Sequence, residues 1–309
     1  MAQKRIALRV LSAAGLVVLL TVRASAVAQE LEPRAYTNAP VGLNFVLLGY
    51  AYSQGGVAFD PSVPLTDAAI RVDSAVFAYA RSLDVAGMSG KFDIVLPYVW
   101  LSGSALYAGE PRARDVAGPA DPRLRFAVNF YGSPALSMDE FASYRQDLIV
   151  GASLQVTVPA GQYDPDKLVN IGTNRWSIKP ELGISKAAGR MTLELAAGVT
   201  YYTENDNFFG GSTLQEDPIY SIQGHFTYSF HNHAWAALDL TYYTGGRTTL
   251  DGVPGNDLEK NSRVGGTYAF PLDRHHSIKF YASTGVSTRT GTDFDIAGIA
   301  WQYRWGAGF

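Results

Sequence analysis

From Val41 to its last residue the chain alternates apolar and polar positions with a period of two, in twelve separate stretches. Successive side chains of a strand point to opposite faces, so each stretch predicts a strand with one apolar and one hydrated face. The pattern is plainest in the last, Phe294–Phe309, which reads FDIAGIAWQYRWGAGF. Every second residue back from the end (Phe309, Ala307, Trp305, Tyr303, Trp301, Ile299, Ala297) is apolar or aromatic. The other face is Gly308, Gly306, Arg304, Gln302, Ala300 and Gly298.

The first stretch, Val41–Ser53, sets Leu43, Phe45 and Leu47 against Asn44 and Tyr50. Ala69–Ser82 sets Ile70, Val72, Val76 and Ala78 against Asp73, Phe77 and Arg81. Lys91–Tyr107 sets Phe92, Leu96, Tyr98 and Trp100 against Asp93, Val95 and Pro97, and Pro122–Gly132 sets Leu124, Phe126 and Phe130 against Arg123, Arg125 and Asn129. The others are Asp147–Pro159, Asn174–Lys186, Met191–Thr203, Pro218–Phe230, Ala234–Thr244, Asn261–Leu272 and Ser277–Ser287. Pro97 and Pro180 fall inside predicted strands. Proline gives the ladder no N–H, so each predicts a bulge or a local break. Tight turns at Ala187–Arg190, His231–His233 and Asp273–His276 alternate with long connections rich in Gly, Asp, Asn and Pro. Ser133–Gln146 is long where a short turn is due, and predicts a small helix around Met138–Tyr144.

Charge sharpens the picture. From Met191 onward the charged residues Glu194, Asp239, Arg263, Lys279 and Arg304 all lie on the polar face of their strands. A soluble sandwich turns that face to water and buries the other; a membrane barrel does the reverse. Alternation does not separate the two. Composition helps, with 17% charged residues and no cysteine among 309, below the roughly 25% charged of soluble domains. Past the N-terminus nothing approaches the ~18 consecutive apolar residues of a spanning helix. A membrane protein without such helices has to be a closed barrel, since lipid leaves backbone groups no other partners.

The N-terminus reads as a secretory leader, residues 1–28. Lys4, Arg5 and Arg9 precede an apolar Val10–Val22, and small residues allow cleavage after Ala26 or Ala28. Its removal takes the basic residues from 25 to 21 against 28 acidic ones, which gives no support to nucleic-acid binding. An exported chain without cysteine has neither disulfides nor thiolate chemistry.

The closing stretch resembles the last strand of bacterial outer-membrane barrels, which end in Phe. That likeness implies recognition of Phe309 by the barrel assembly machinery. Phe230, Phe270 and Trp305 fall near one rim and Trp176, Tyr201 and Tyr242 near the other, as interface girdles would. The expectation is an all-β, transmembrane, antiparallel up-and-down β-barrel of about twelve strands over residues 41–309, its first and last strands paired. A periplasmic segment, residues 29–40, precedes it. An even count puts both termini in the periplasm.

From Val158 the chain reads VPAGQYDPDKLVNIGTNRWSIKPELGIS. Pro159, Gly161 and Tyr163 before Asp164-Pro165-Asp166, then Gly172-Thr173-Asn174-Arg175-Trp176 and Lys179-Pro180-Glu181, resemble the signature of the bacterial family named for the MetA pathway of phenol degradation. Leu96-Pro97-Tyr98 is similar too. The resemblance implies an outer-membrane transporter for small catabolic substrates, aromatic or apolar ones among them.

The expected lumen lining is Asp73, Arg81, Asp93, Arg123, Arg125, Lys179, Glu181, Glu194, Asp239, Arg263, Lys279 and Arg304. Twelve strands enclose more than the filled eight-stranded barrels and less than sixteen-stranded porins, so a narrow channel of mixed charge is expected. Its partners would be membrane lipid and a small solute; no cofactor is implied. The alternatives are a non-conducting barrel with a structural, adhesive or lipid-hydrolysing role, and a soluble periplasmic β-protein that binds a ligand. Asp164, Asp166 and Asn170 have oxygens that suit calcium, but equally form an Asx-rich turn. His231 with His233, and His275 with His276, could share a metal or be solvated turn residues. His275 and Ser277 have the spacing of a hydrolase pair, at the end opposite to where the outer-membrane phospholipase carries its site.

Overall fold

The computed structural model describes residues 32–58, 65–107 and 110–308. The leader, residues 1–28, and the terminal Phe309 lie outside the described residues. Twelve strands form the wall: β1 (Leu43–Ala58), β2 (Leu65–Val85), β3 (Met88–Tyr107), β5 (Arg123–Tyr131), β6 (Leu148–Thr157), β7 (Ser177–Ala188), β8 (Met191–Tyr202), β11 (Ile219–Ser229), β12 (Trp235–Gly245), β15 (Glu259–Pro271), β16 (His276–Ser287) and β17 (Gly291–Gly306). Each pairs antiparallel with the next, and β17 pairs back onto β1 from Leu43↔Gly306 to Ala58↔Gly291, which closes the barrel. All twelve predicted strands are present, and the predicted partnership of first and last is the closure.

Five short strands fall outside that ring. β4 (Glu110–Pro119) pairs with the outer half of β3. β9 (Asn205–Phe208), β10 (Ser212–Glu216), β13 (Thr248–Leu250) and β14 (Val253–Pro254) form a second sheet from the loops opposite the termini. Phe208, Leu214 and Leu250 make its small core, with Leu168 packed against it. At the end bearing the termini, α1 (Met138–Ser143) fills the long connection after β5. Ser137 and Glu140 cap it reciprocally, which satisfies two orphan amides of its first turn.

Both prolines sit where a neighbour does without their missing donor. The partner of β3 breaks between β5 and β4, and Pro97 lies opposite the break. Its carbonyl accepts from Ala120 N at 2.9 Å; the N–H it lacks would have pointed the same way. Pro180 stays in register with Leu154 on β6, while the β7–β8 ladder skips from Ile178↔Tyr201 to Glu181↔Gly198. The register is kept and the ladder locally broken, as proline requires.

The two faces are inverted relative to a soluble protein. Leu182 and Leu193 are 62% and 60% exposed, while Glu194, Asp239 and Arg263 are 2%, 0% and 2%. Such a surface is stable only against hydrocarbon. Aromatic girdles edge it: Trp176, Tyr201 and Tyr242 are exposed near the outer rim. Near the inner rim Tyr303 stacks on Trp305 at 5.5 Å between centroids, and Tyr268 lies 5.9 Å from Phe270.

In β1 and β2 the faces are opposite to the expected ones. Leu43, Ser82 and Ile70 are buried on the inner side, whereas Leu48, Tyr50 and Phe77 are exposed outward. This corrects two expected lining residues. Asp73 lies across from Trp100, and Arg81 across from Phe92, both on the outward face. Asp73 accepts from the Tyr50 hydroxyl and pairs with Arg71 Nε at 3.4 Å. Twelve residues above the inner end of β2 it stands roughly 30 Å up, above the ~25 Å apolar band, where charge is hydrated. Arg81 is near the inner rim, where a long side chain reaches water.

Candidate functional site

The interior of the barrel has two unlike walls. On β5 to β15 most inward side chains are polar or charged, and rows of them meet across strands. Asp93 faces Arg125, which faces Gln155, which faces Lys179. Glu194 faces His225, which faces Asp239. His225 Nδ1 lies 2.7 Å from Asp239 Oδ1, and Thr267 donates to Asp239 Oδ2 at 3.1 Å. Lys179 and Glu181 pair at 2.9 Å. A buried carboxylate persists only with such partners.

Toward the outer ends of β17, β2 and β3 the inward residues are largely apolar instead. Ile70, Val99, Leu101 and Phe294 form a buried cluster there, joined by Val72 and Ile296. The lumen is therefore amphipathic across its section. Alternation in these strands comes from an aromatic or aliphatic residue on both faces.

Two segments narrow this lumen. The first is the chain before β1, residues 32–42, which enters from the inner end. Pro33 and Pro40 keep it from joining the ladder, and Arg34 takes a left-handed φ of 69°. Arg34 N donates to Glu194 Oε2 at 2.6 Å, and its guanidinium stands 5.4 Å from the Trp235 ring. Tyr36 is 1% exposed; its hydroxyl donates to Glu181 Oε1 at 2.9 Å and its carbonyl accepts from Asn129 Nδ2 at 3.2 Å. Gly151 and Gly183 make room for its ring, since a Cβ at either would collide with it. Asn38 Nδ2 donates to Pro134 O at 3.1 Å, and Val41 N to Leu136 O at 2.8 Å. Between plug and wall remains a cavity of about 30 Å³ lined by Glu32, Tyr36, Arg125, Glu181, Glu194 and His225, room for about one water.

Glu32 pairs with Arg125 at the tip of this plug. Burial acts to raise its carboxyl pKa, but Arg125, Lys91, Arg123 and Lys279 outweigh it and hold the group at about 2 rather than 4.5. A carboxyl depressed on docking contributes fully above its free value and loses that contribution as pH falls through the docked one. Acidification between about 4.5 and about 2 should therefore loosen the plug. Bilayer current recorded against pH would rise in that window, and Glu32→Gln would remove this component. A flat profile in the unmodified protein would contradict the docking.

The second segment is the loop of residues 158–176, folded in from the outer end. Asp121, 5% exposed, ties both its limbs. The carboxylate accepts from Gly161 N at 2.8 Å, Thr173 N at 2.8 Å and Thr173 Oγ1 at 2.7 Å. Gly172 packs so near Gly161 that a Cβ would stand 2.9 Å from its carbonyl carbon. Arg175 forms a buried pair with Glu216 and lies 4.5 Å from the Tyr202 ring. Ile171 and Val169 are thereby pressed onto the apolar wall, in the cluster with Ile70, Leu101 and Phe294. The residues that carry the family resemblance are the ones that build this constriction.

Of the expected lining residues, Arg125, Glu181 and Glu194 converge on the plug or its tip. Arg123 is buried on the inward face of β5. Asp239 is joined to His225, which the sequence placed on the polar face without singling it out. Arg263 reaches Phe294 O at 2.5 Å and Ser283 Oγ at 3.1 Å. Lys279 stands 5.6 Å from the Tyr281 ring, and Arg304 Nε donates to Arg274 O at the inner rim, 2.7 Å away. Tyr36, Asp121 and Ile171 were not foreseen.

The other candidate chemistries are engaged locally. Asn170 bonds Asp164 N at 3.0 Å, Asp164 O at 2.9 Å and Lys167 O at 2.9 Å, while Asp164 Oδ1 accepts from Asp166 N, so the calcium candidates form an Asx turn. His231 meets Arg190, His275 Nδ1 lies 3.0 Å from Arg304 O, and His276 accepts from Trp301 Nε1 at 3.2 Å. Among the described residues no group of three or more His, Asp or Glu is placed to hold a metal.

Comparison places this architecture. The COG4313 outer membrane channel from Pseudomonas putida F1 superposes with a TM-score of 0.77 over 89% of this chain and 100% of that one, at 19% identity. The transport unit of the autotransporter AIDA-I from Escherichia coli gives 0.53 over 90% and 94%, at 7% identity. These likenesses are of fold: a bacterial outer-membrane barrel, and the apolar belt with its girdles puts this chain in that membrane. No curated protein matches it. The family model described as "Putative MetA-pathway of phenol degradation" matches residues 52–302, and the chain belongs to that family.

Proposed function

We propose that the barrel is a passive channel for small solutes, aromatic or hydrophobic ones among them, and that the segment of residues 32–42 is its closed gate. The observation that carries this reading is the divided lumen, largely charged or polar on β5–β15 and apolar toward the outer ends of β17, β2 and β3. A planar aromatic acid matches both walls at once, its ring against one and its carboxylate against the other. Asp93, Arg123, Arg125, Lys179, Glu181, Glu194, Asp239, Arg263, Lys279 and Arg304 would set which solutes pass. Both signs are present, so strong anion or cation selectivity is not expected. Phe309 would serve assembly rather than transport.

Purified barrel in liposomes should admit benzoate faster than a neutral hexose. Equal rates would remove the aromatic preference. No flux of either solute through a correctly folded barrel would favour a non-conducting barrel instead, a reading that the segment docked in the inner end supports.

A further inference from the structure

We propose that the cationic cluster around Arg125 is a carboxylate-binding site, filled by Glu32 of the plug in the closed barrel and by the carboxylate of a solute when the plug leaves. The inference rests on the channel reading above and names the group the lumen recognises and what releases the gate.

The two members of the Arg125–Glu32 pair are not alike. The Arg125 side chain belongs to the wall and is 7% exposed, whereas that of Glu32 arrives with the plug and is 41% exposed. Asp93 and Gln155 flank Arg125 on the neighbouring strands, and Lys179 stands beyond Gln155. Glu32 takes one nitrogen of the guanidinium, Nη1. The other two, Nε and Nη2, are buried and have no hydrogen-bond partner among the described residues. A guanidinium offers a carboxylate a fork of parallel N–H groups. Here the fork is only partly used, and a buried donor left unpaired is costly.

The field at this point is one-sided. Lys91 on β3, Arg123 on β5 and Lys279 on β16 act on the Glu32 carboxylate together with Arg125. Asp93 stands among the same cations, and Glu181 is already held by Lys179 at 2.9 Å. When Glu32 withdraws, these cations face the lumen one carboxylate short. Buried charge persists only when paired, so the open barrel favours an anion in the place of Glu32. The plug also supplies a ring. Tyr36 lies over Gly151 and Gly183, its hydroxyl on Glu181, two residues along β7 from Lys179. Its departure leaves room for an aromatic body beside the guanidinium. Plug and aromatic acid thus compete for one place, and a solute that binds only the released state shifts the plug toward release.

Calorimetric titration of the purified, folded barrel at neutral pH tests this with benzoate and with benzamide, its uncharged isostere. Glu32→Gln removes the competing charge and should tighten benzoate binding severalfold. Arg125→Gln added to it should abolish the gain, and Arg125→Lys, which keeps the charge and loses the fork, should abolish only part. Benzamide should bind weakly and equally throughout. In the unmodified barrel, amide exchange across residues 32–42 should rise with benzoate and stay flat with benzamide. Equal benzoate affinity with and without Glu32→Gln would overturn the proposal. So would a gain that survives Arg125→Gln, or benzamide binding as tightly as benzoate. If Arg125→Gln does not fold, the Glu32→Gln and benzamide comparisons decide alone. Any of these failures alongside normal benzoate flux in liposomes would leave the channel standing. Benzoate binding as expected, without flux through the Tyr36→Ala barrel, would support the site and remove the channel reading.

Discussion

Tyr36→Ala should convert a nearly silent barrel into a conducting one. The ring is fully enclosed between Gly151, Gly183 and the β7 carboxylate that accepts its hydroxyl. Truncating a buried aromatic costs about 3–5 kcal/mol. Lost from the docked state alone, that shifts the balance between docked and released plug by roughly a hundred- to several-thousand-fold. The barrel itself does not depend on this contact, because its closure is the β1–β17 ladder that starts at Leu43. The variant should keep the heat-modifiable migration of a folded barrel while its bilayer current rises severalfold. Gly183→Val approaches the same state from the wall, since its side chain takes the space the ring occupies. A barrel that stays silent after both changes would show that the plug is not what closes it.

Asp121→Ala should act at the other end and on different solutes. The side chain makes three hydrogen bonds to the loop of residues 158–176, on both of its limbs. Bonds to a charged group contribute about 1.5–3 kcal/mol each, but the freed amides turn to water, so the loss should be about 3–5 kcal/mol rather than the sum. Released, Ile171 leaves the cluster with Ile70 and Phe294 and uncovers the apolar wall. Tyr36→Ala should raise benzoate and hexose flux together; Asp121→Ala, added to it, should raise benzoate more than hexose. Amide exchange in residues 161–173 would report the release directly. Unchanged exchange there would refute the latch.

The strands were legible because period two is a local property, and the wall strands of the structure overlap the predicted ones throughout. Which face meets lipid is not local. The rule that charges point inward holds for Arg125, Glu181, Glu194, Asp239 and Arg263 and fails at β1 and β2, where Leu43 and Ile70 line the interior and Leu48 and Tyr50 face out. Aliphatic residues on one face and aromatic ones on the other give alternation no preferred side. Asp73 and Arg81 were misplaced for that reason. The short strands β9, β10, β13 and β14 hold two to five residues each, too few for a period to show.

The plug left less trace still. Residues 32–42 have no periodicity, and the partners that hold their tip, Arg125 and Glu194, lie 93 and 160 positions away. The signal that existed was steric. Gly183 interrupts the inward face of β7, where no turn or bulge requires glycine, and it makes room for Tyr36 together with Gly151, which lies opposite the bulge at Asn129/Tyr131. The outer loop was legible as a motif and not as a constriction, because only the fold brings Asp121 between Gly161 and Thr173.

The gate can be held shut and released in one molecule. A Cβ on Gly151 would lie 2.7 Å from the near edge of the Tyr36 ring, so Tyr36→Cys with Gly151→Cys places two thiols in a protein that has no others. Single-channel current would be recorded across a planar bilayer before and after reduction of the disulfide. The gate predicts a silent oxidised barrel that conducts once reduced and falls silent again on reoxidation. Equal current in the two redox states would contradict it.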